Sequence, residues 1–118
     1  MDAENDIYAN LPLTETTYFI LLSLSPGSRH GYSIMKDVRQ LSRDRVMLST
    51  GTLYSALKRL LDQGWIRRAA DPQGSGDARG RKAYCLTSLG QQILEAEVQR
   101  LQGLVNAAQL RPMGTYSD

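Results

Sequence analysis

Three chain breakers decide what this sequence of 118 residues can build. Pro26-Gly27, Gly64, and the stretch from Asp71 to Gly80 with Pro72, Gly74, Gly76 and Gly80 interrupt every long helix or strand that could otherwise form before Thr87. Only short segments are left between them. The spacing predicts a first helix capped by Thr14 and running to about Ser25, with Tyr18, Leu21 and Leu22 on one apolar face and Ile20 and Leu24 on a second. Such a helix is buried on most sides. Ser28 is expected to cap a second helix, about Arg29 to Ser42, whose Ile34, Val38 and Leu41 face the core while Lys36 and Arg39 face solvent. Val46 to Leu48 is a short apolar patch that reads as one strand. Ser49 suits the N-cap of a third helix that ends before Gly64, with Leu53, Leu57, Leu60 and Leu61 as its inward stripe.

Trp65 to Ala70 and Arg81 to Leu86 read as two strands around the glycine-rich stretch, the second with Tyr84 and Leu86 on one face and Ala83 and Cys85 on the other. After a capping Thr87, residues Leu94, Val98, Leu101, Val105 and Ala108 recur at alternating steps of four and three. This is a heptad seam too short for an isolated coiled coil, so it must pack on its own domain or on a second subunit. The expected organisation is a mobile acidic arm over 1–12, a domain of three helices and a hairpin over 13–87, a helix over 88–110 and a disordered tail over 111–118. The fold class is mainly α with a small β-hairpin, in the element order of a winged helix-turn-helix.

At 42% hydrophobic and 22% charged residues the composition is that of a soluble globular domain able to form a core. The longest apolar run, Tyr18 to Leu22, is far too short to span a membrane, which makes the cytoplasm the expected location. A lone Cys85 and a lone His30 leave no disulfide framework, no zinc or iron–sulfur ligand set and no other metal site, and no cofactor is expected. Nor is catalysis: the one histidine opens a helix, and the glycines lie between two strands rather than between a strand and a helix, as a phosphate loop requires. The charge is sorted along the chain. Residues 1–28 balance at −4, residues 29–82 carry twelve Lys or Arg against five Asp, and residues 83–118 balance at −1. A basic block between acidic ends suggests a polyanion at one face.

Three segments together resemble the PadR family of bacterial transcriptional regulators. They are His30-Gly31-Tyr32-Ser33-Ile34, then Ser49-Thr50-Gly51-Thr52-Leu53-Tyr54-Ser55-Ala56-Leu57 with Leu60 and Gly64-Trp65-Ile66, then Gly80-Arg81-Lys82-Ala83-Tyr84-Cys85-Leu86-Thr87 with Gly90. The resemblance spans about residues 11 to 110. It implies a winged-helix domain on double-stranded DNA, a homodimer built with the C-terminal helix as in the family's short subgroup, and repression of a nearby promoter, often relieved by a small phenolic or drug-like effector. No Trp, Tyr or Phe lies between Thr87 and Leu110, which argues against an aromatic drug platform at the dimer centre. In this architecture Ser49, Thr50, Gly51, Thr52 and Ser55 let the third helix approach base edges, Tyr32, Lys58 and Arg59 suit phosphates, and Tyr54, one residue from the Leu stripe, suits either a phosphate or half-buried packing. Arg79, Arg81 and Lys82 would place wing cations along the minor groove. The dimer interface is expected at Leu94, Val98, Leu101, Val105 and Ala108, packed on the partner's Tyr18 and Leu22. The competing expectation is a winged-helix protein-interaction module without DNA binding.

Overall fold

The computed structural model describes residues 7–70 and 82–116. Among them are four helices, α1 (Glu15–Ser23), α2 (Gly31–Leu41), α3 (Thr50–Asp62) and α4 (Ser88–Gln109), and three strands, β1 (Arg29–His30), β2 (Ile66–Ala69) and β3 (Ala83–Leu86). Hydroxyls start three of the helices as the sequence predicts: Thr14, Ser49 and Thr87 accept from the backbone N–H of Thr17, Thr52 and Gly90. Gly64 ends α3 at φ 77°, a conformation that side chains with a Cβ resist, and the N–H groups of Gly64 and Trp65 close the helix on Leu61 and Leu60. The helices enclose one core in which Ile20, Leu21, Ile34, Val38, Leu53, Leu60 and Ile93 have no exposed surface. Each such side chain contributes about 1.5–3 kcal/mol by leaving water. No helix among the described residues is long and apolar enough to cross a membrane.

The second helix does not begin at Arg29. Arg29 and His30 instead pair antiparallel with Tyr84 and Ala83 of β3, so the sheet has three strands in the order β1-β3-β2, and α2 opens at Gly31 with His30 in place of Ser28 at its N-cap. The ladder to β3 satisfies backbone groups that a longer helix would have claimed. As the central strand, β3 is covered unevenly: Ala83 and Tyr84 are both buried while Cys85 and Leu86 are half-buried, so the expected alternation is lost. Leu41, at the end of α2, is 41% exposed rather than in the core.

Val46–Leu48 is not a strand. Arg43 and Asp44, at φ 53° and 67°, turn the chain, the Ser42 hydroxyl accepts from Val46 N–H at 2.9 Å, and the extended residues lead straight into the α3 cap. Nor is the arm free over 7–12. Ile7 is buried in the core with Leu11 and Leu13 packed against it, because an apolar residue every few positions suffices to hold a short turn on an apolar helix face. The N–H of Leu13 donates to the carboxylate of Glu97 at 2.8 Å, and Arg100 donates to both Glu97 oxygens.

Two close approaches fix α4 on the domain. The N–H of Thr87 donates to the carbonyl of Trp65, the Thr87 hydroxyl donates to the carbonyl of Gly64 at 2.6 Å, and a Cβ at Gly90 would lie 1.9 Å from the Trp65 carbonyl oxygen. Because that obstacle is backbone, Gly90→Ala is expected to destabilise by about 2 kcal/mol or more in urea unfolding, whereas Gly103→Ala, where a Cβ meets nothing, should stabilise by roughly 0.5–1 kcal/mol. A second prediction concerns Glu97, whose carboxyl is held below the ordinary carboxylate range, first by the Arg100 hydrogen bonds and then by Leu13 N–H, against its burial. A folded value below the unfolded one gives stability that is present above about pH 4.3 and lost as the pH falls through the folded value. Melting temperatures from pH 6 to pH 3 should therefore fall more steeply for wild type than for Glu97→Gln.

Candidate nucleic-acid interface

The N-terminal turn of α3 stands in the open. Thr50, Gly51, Thr52 and Ser55 are all exposed, and a Cβ at Gly51 would meet nothing within 4 Å, so the protomer's own packing does not call for glycine there. Small residues at a helix N-terminus allow close backbone approach to a surface outside the chain. Ser49 binds back onto the helix: its oxygen accepts from Thr52 N–H at 3.1 Å while its hydroxyl donates to the Thr52 hydroxyl at 2.9 Å. Spacings of four, three and four put Gly51, Ser55, Lys58 and Asp62 on one outward stripe, at the end of which the Lys58 ammonium pairs with Asp62 at 3.2 Å.

Two of the residues expected at phosphates are exposed and also make contacts within the protein. The Tyr54 hydroxyl lies over the first residue of α2, where a Cβ on Gly31 would come within 2.6 Å of it, so the ring sets how α3 crosses α2. The Arg59 guanidinium donates to the Thr17 hydroxyl of α1 at 3.0 Å. Tyr32, by contrast, is 70% exposed at the start of α2, with the Lys36 ammonium 5.8 Å from its ring centre. Lys82 is exposed at the foot of β3, and Arg79 and Arg81 lie outside the described residues.

Sequence reasoning left Arg67 and Arg68 in the charge count. In the structure they are exposed on β2, in register with Cys85 and Tyr84, and the Arg68 guanidinium sits 5.8 Å from the Tyr84 ring centre. Burial pushes the Tyr84 hydroxyl above its ordinary value, with Arg68 opposing the shift and Tyr54 adding to it. Adjacent arginines on a strand that leads into a glycine-rich basic stretch are the signal that could have singled them out.

The helical seam divides in two. Leu94 is 5% exposed and belongs to its own protomer's core, whereas Val98 and Val105 are 42% and 49% exposed, Leu101 is half-buried and Ala108 is exposed. Leu104 also faces solvent, and Tyr18 and Leu22 of α1 are half-buried. Leu94 was expected in the dimer interface; the first turns of α4 dock on their own domain and cover it. Trp65 is likewise sealed in the core. No group of three or more His, Cys, Asp or Glu among the described residues could hold a metal ion.

A helix pair α2–α3 with an open N-terminal turn, followed by a β2–β3 hairpin bearing cations, defines the winged helix-turn-helix class. The sequence pattern described as the Transcriptional regulator PadR-like family matches residues 20–96, and the chain belongs to that family. The family consists of transcriptional regulators, not enzymes. A PadR family transcription regulator from Clostridium difficile R20291 is similar at TM-score 0.66 and 31% identity, over 82% of this chain and 97% of that one. Bacillus subtilis PadR in complex with operator DNA is similar at TM-score 0.64 and 27% identity, over 91% of this chain and 54% of that one. A 37.1 kDa protein of transposon TN4556 from Streptomyces fradiae is 33% identical over 103 residues, 84% of this chain, which spans only 27% of that relative.

The packing of Tyr54 on Gly31 carries a prediction. Tyr54→Ala should lower stability by about 1–3 kcal/mol in urea unfolding, since it opens a gap between α2 and α3, while Tyr54→Phe should lose less than half of that. A side chain that served only as a phosphate contact would leave both midpoints at the wild-type value.

Proposed function

We propose that the protein is a homodimeric transcriptional repressor that binds a pseudo-palindromic operator in double-stranded DNA, in the cytoplasm. The observation that carries this reading is the N-terminal turn of α3, where Thr50, Gly51, Thr52 and Ser55 are open to solvent and Gly51 has no packing reason to be glycine. With α3 in the major groove, Thr52 and Ser55 reach base edges, while Ser49 and Gly51 bring the helix backbone close. The N-terminus of α2 crosses the phosphate backbone with Tyr32 at its front. Lys58 lies further along α3 on the phosphates, and Lys82, with Arg79 and Arg81, forms the wing. Arg67 and Arg68 of β2 extend that cationic edge. Bacillus subtilis PadR, solved on operator DNA, is the precedent among similar structures.

A dimer is the natural use of α4. Its apolar side chains beyond Glu97 are exposed or only half-covered in the protomer, and a second α4 together with the partner's Tyr18 and Leu22 would cover them. Two-fold symmetry then sets the two α3 helices about 34–36 Å apart, for successive major grooves on one face of the duplex. An effector of such a dimer is small and apolar or phenolic and acts at the dimer centre. The aliphatic side chains of α4 would hold it, as that helix offers no ring to stack on.

Short hydroxyl side chains discriminate bases modestly, so affinity comes mainly from phosphates. With about six to ten phosphates neutralised per dimer, binding to the operator should fall about 10³ to 10⁵-fold between 50 and 200 mM salt. In gel shifts, Lys58→Ala and Arg81→Ala should weaken binding to all sequences and flatten the salt slope, and Thr52→Ala should relax preference at particular operator positions. Equal, salt-insensitive binding by wild type and both cation variants would place the protein among winged-helix interaction modules instead.

A further inference from the structure

The segment that leads into α3 exposes a large apolar side chain where the DNA face begins. Residues 46–49 run extended into the cap, and their exposure alternates: Val46 and Leu48 pack half-buried against the core, while Met47 and Ser49 are open. Met47 is 64% exposed and shares a side of the chain with Ser49, whose hydroxyl meets Thr52 on the open turn of α3. Its other neighbours belong to α2. A groove of about 190 Å³ is lined by Tyr32, Met35, Lys36, Arg39, Met47 and Leu48. Arg39, at its far end, is paired with Asp44, whereas at its near end the Lys36 ammonium lies 5.8 Å from the centre of the exposed Tyr32 ring. Met47 thus stands between the two elements assigned to DNA, the front of α2 on the phosphates and the first turn of α3 on base edges.

A thioether has no proton to donate and accepts only weakly, so at this position it can neither hold a phosphate nor hydrogen-bond a base. What it offers is apolar surface on a long, unbranched and adaptable stem. In the major groove, the apolar group that a base pair presents is the ring methyl of thymine. The surroundings of Met47 suit a polyanion, since Lys36 stands on the rim of the groove and no carboxylate among the described residues lines it. We propose that Met47 of each protomer covers the ring methyl of one thymine per half-site, adding by apolar contact the base discrimination that the short hydroxyls of α3 supply only modestly. This inference rests on the DNA reading above and names a chemical group that is read there.

The test uses the full chain and an operator that the wild type selects from a pool of random duplexes. Deoxyuridine then replaces thymidine at one position at a time, which removes the methyl and keeps every hydrogen-bonding group of the base pair. At one position per half-site the wild type should bind about fourfold more weakly, and about fifteenfold more weakly when both half-sites are changed, the worth of about one buried methyl group each. Met47→Ala and Met47→Gln should bind the thymine and uracil duplexes equally at that position, Met47→Leu should keep most of the difference, and Thr52→Ala should keep all of it. Because the side chain is exposed, the urea midpoints of the Met47 variants should stay at the wild-type value. A scan in which no position tells thymine from uracil through Met47, including one where Met47→Ala weakens both duplexes alike, overturns the methyl contact and leaves DNA binding standing. A wild type that enriches no duplex from the pool overturns the DNA reading and the methyl contact with it.

Discussion

The rest of this structure depends on how the start of α4 meets the turn after α3. The Trp65 carbonyl accepts from Thr87 N–H and lies so near Gly90 that no larger residue fits. The Thr87 hydroxyl both donates to Gly64 and accepts from Gly90. One threonine therefore caps α4, fixes the end of β3 and ties both to the turn that closes α3. With β3 anchored there, its two edges take β2 and β1, and β1 in turn fixes where α2 must start. The orientation of the helix that would meet DNA is thus set from the opposite end of the domain.

Glu97 marks the line between two uses of one helix. Up to it, α4 buries Gly90, Ile93 and Leu94 in its own protomer, and beyond it no residue of the helix is buried. A carboxylate at this border is held by an arginine one turn on and by the backbone of the N-terminal segment, so the ion pair lies on the edge of the core rather than inside it. The arrangement leaves the second half of α4 rigidly aimed but uncovered, which is what an interface between subunits requires.

The sequence carried most of the helical elements because their ends are chemical signals: Thr14, Ser49 and Thr87 at starts, Gly64 at a stop. It also carried the split between core stripe and outward face of α3, since both depend only on spacing. What it did not carry depended on contacts between distant segments. Nothing local in Arg29-His30 announces a partner at Tyr84 and Ala83, and nothing in the acidic first residues announces that Ile7 has an apolar seat. The same limit applies to the site. Thr50, Gly51, Thr52 and Ser55 were legible because their exposure follows from the period, whereas the contacts that exposed Tyr54 and Arg59 make with Gly31 and Thr17 were not, since only the crossing of the helices creates them.

The cations of the basic block are not equivalent once folded. Arg29 binds the Ser23 carbonyl and lies 3.8 Å from Asp37, Arg39 pairs with Asp44, Arg45 pairs with Glu15 of α1, and Arg59 is held by Thr17. Those four have structural partners and hold the turns around α2 in place, so a polyanion would have to compete for them. Exposed pairs of this kind contribute little to stability, about 0–1 kcal/mol each, and their larger effect is to lower the positive potential where DNA is not expected. Lys36 beside Tyr32, Arg67 and Arg68 on β2, and Lys82 at β3 lie along α2 and the hairpin instead. A positive balance of seven over 54 residues overstates the interface if it is read from composition alone. Folding sorts the charge, leaving the cations of α2 and the hairpin to flank the open N-terminus of α3, where exposed Gly51 leaves the helix backbone uncovered by a side chain.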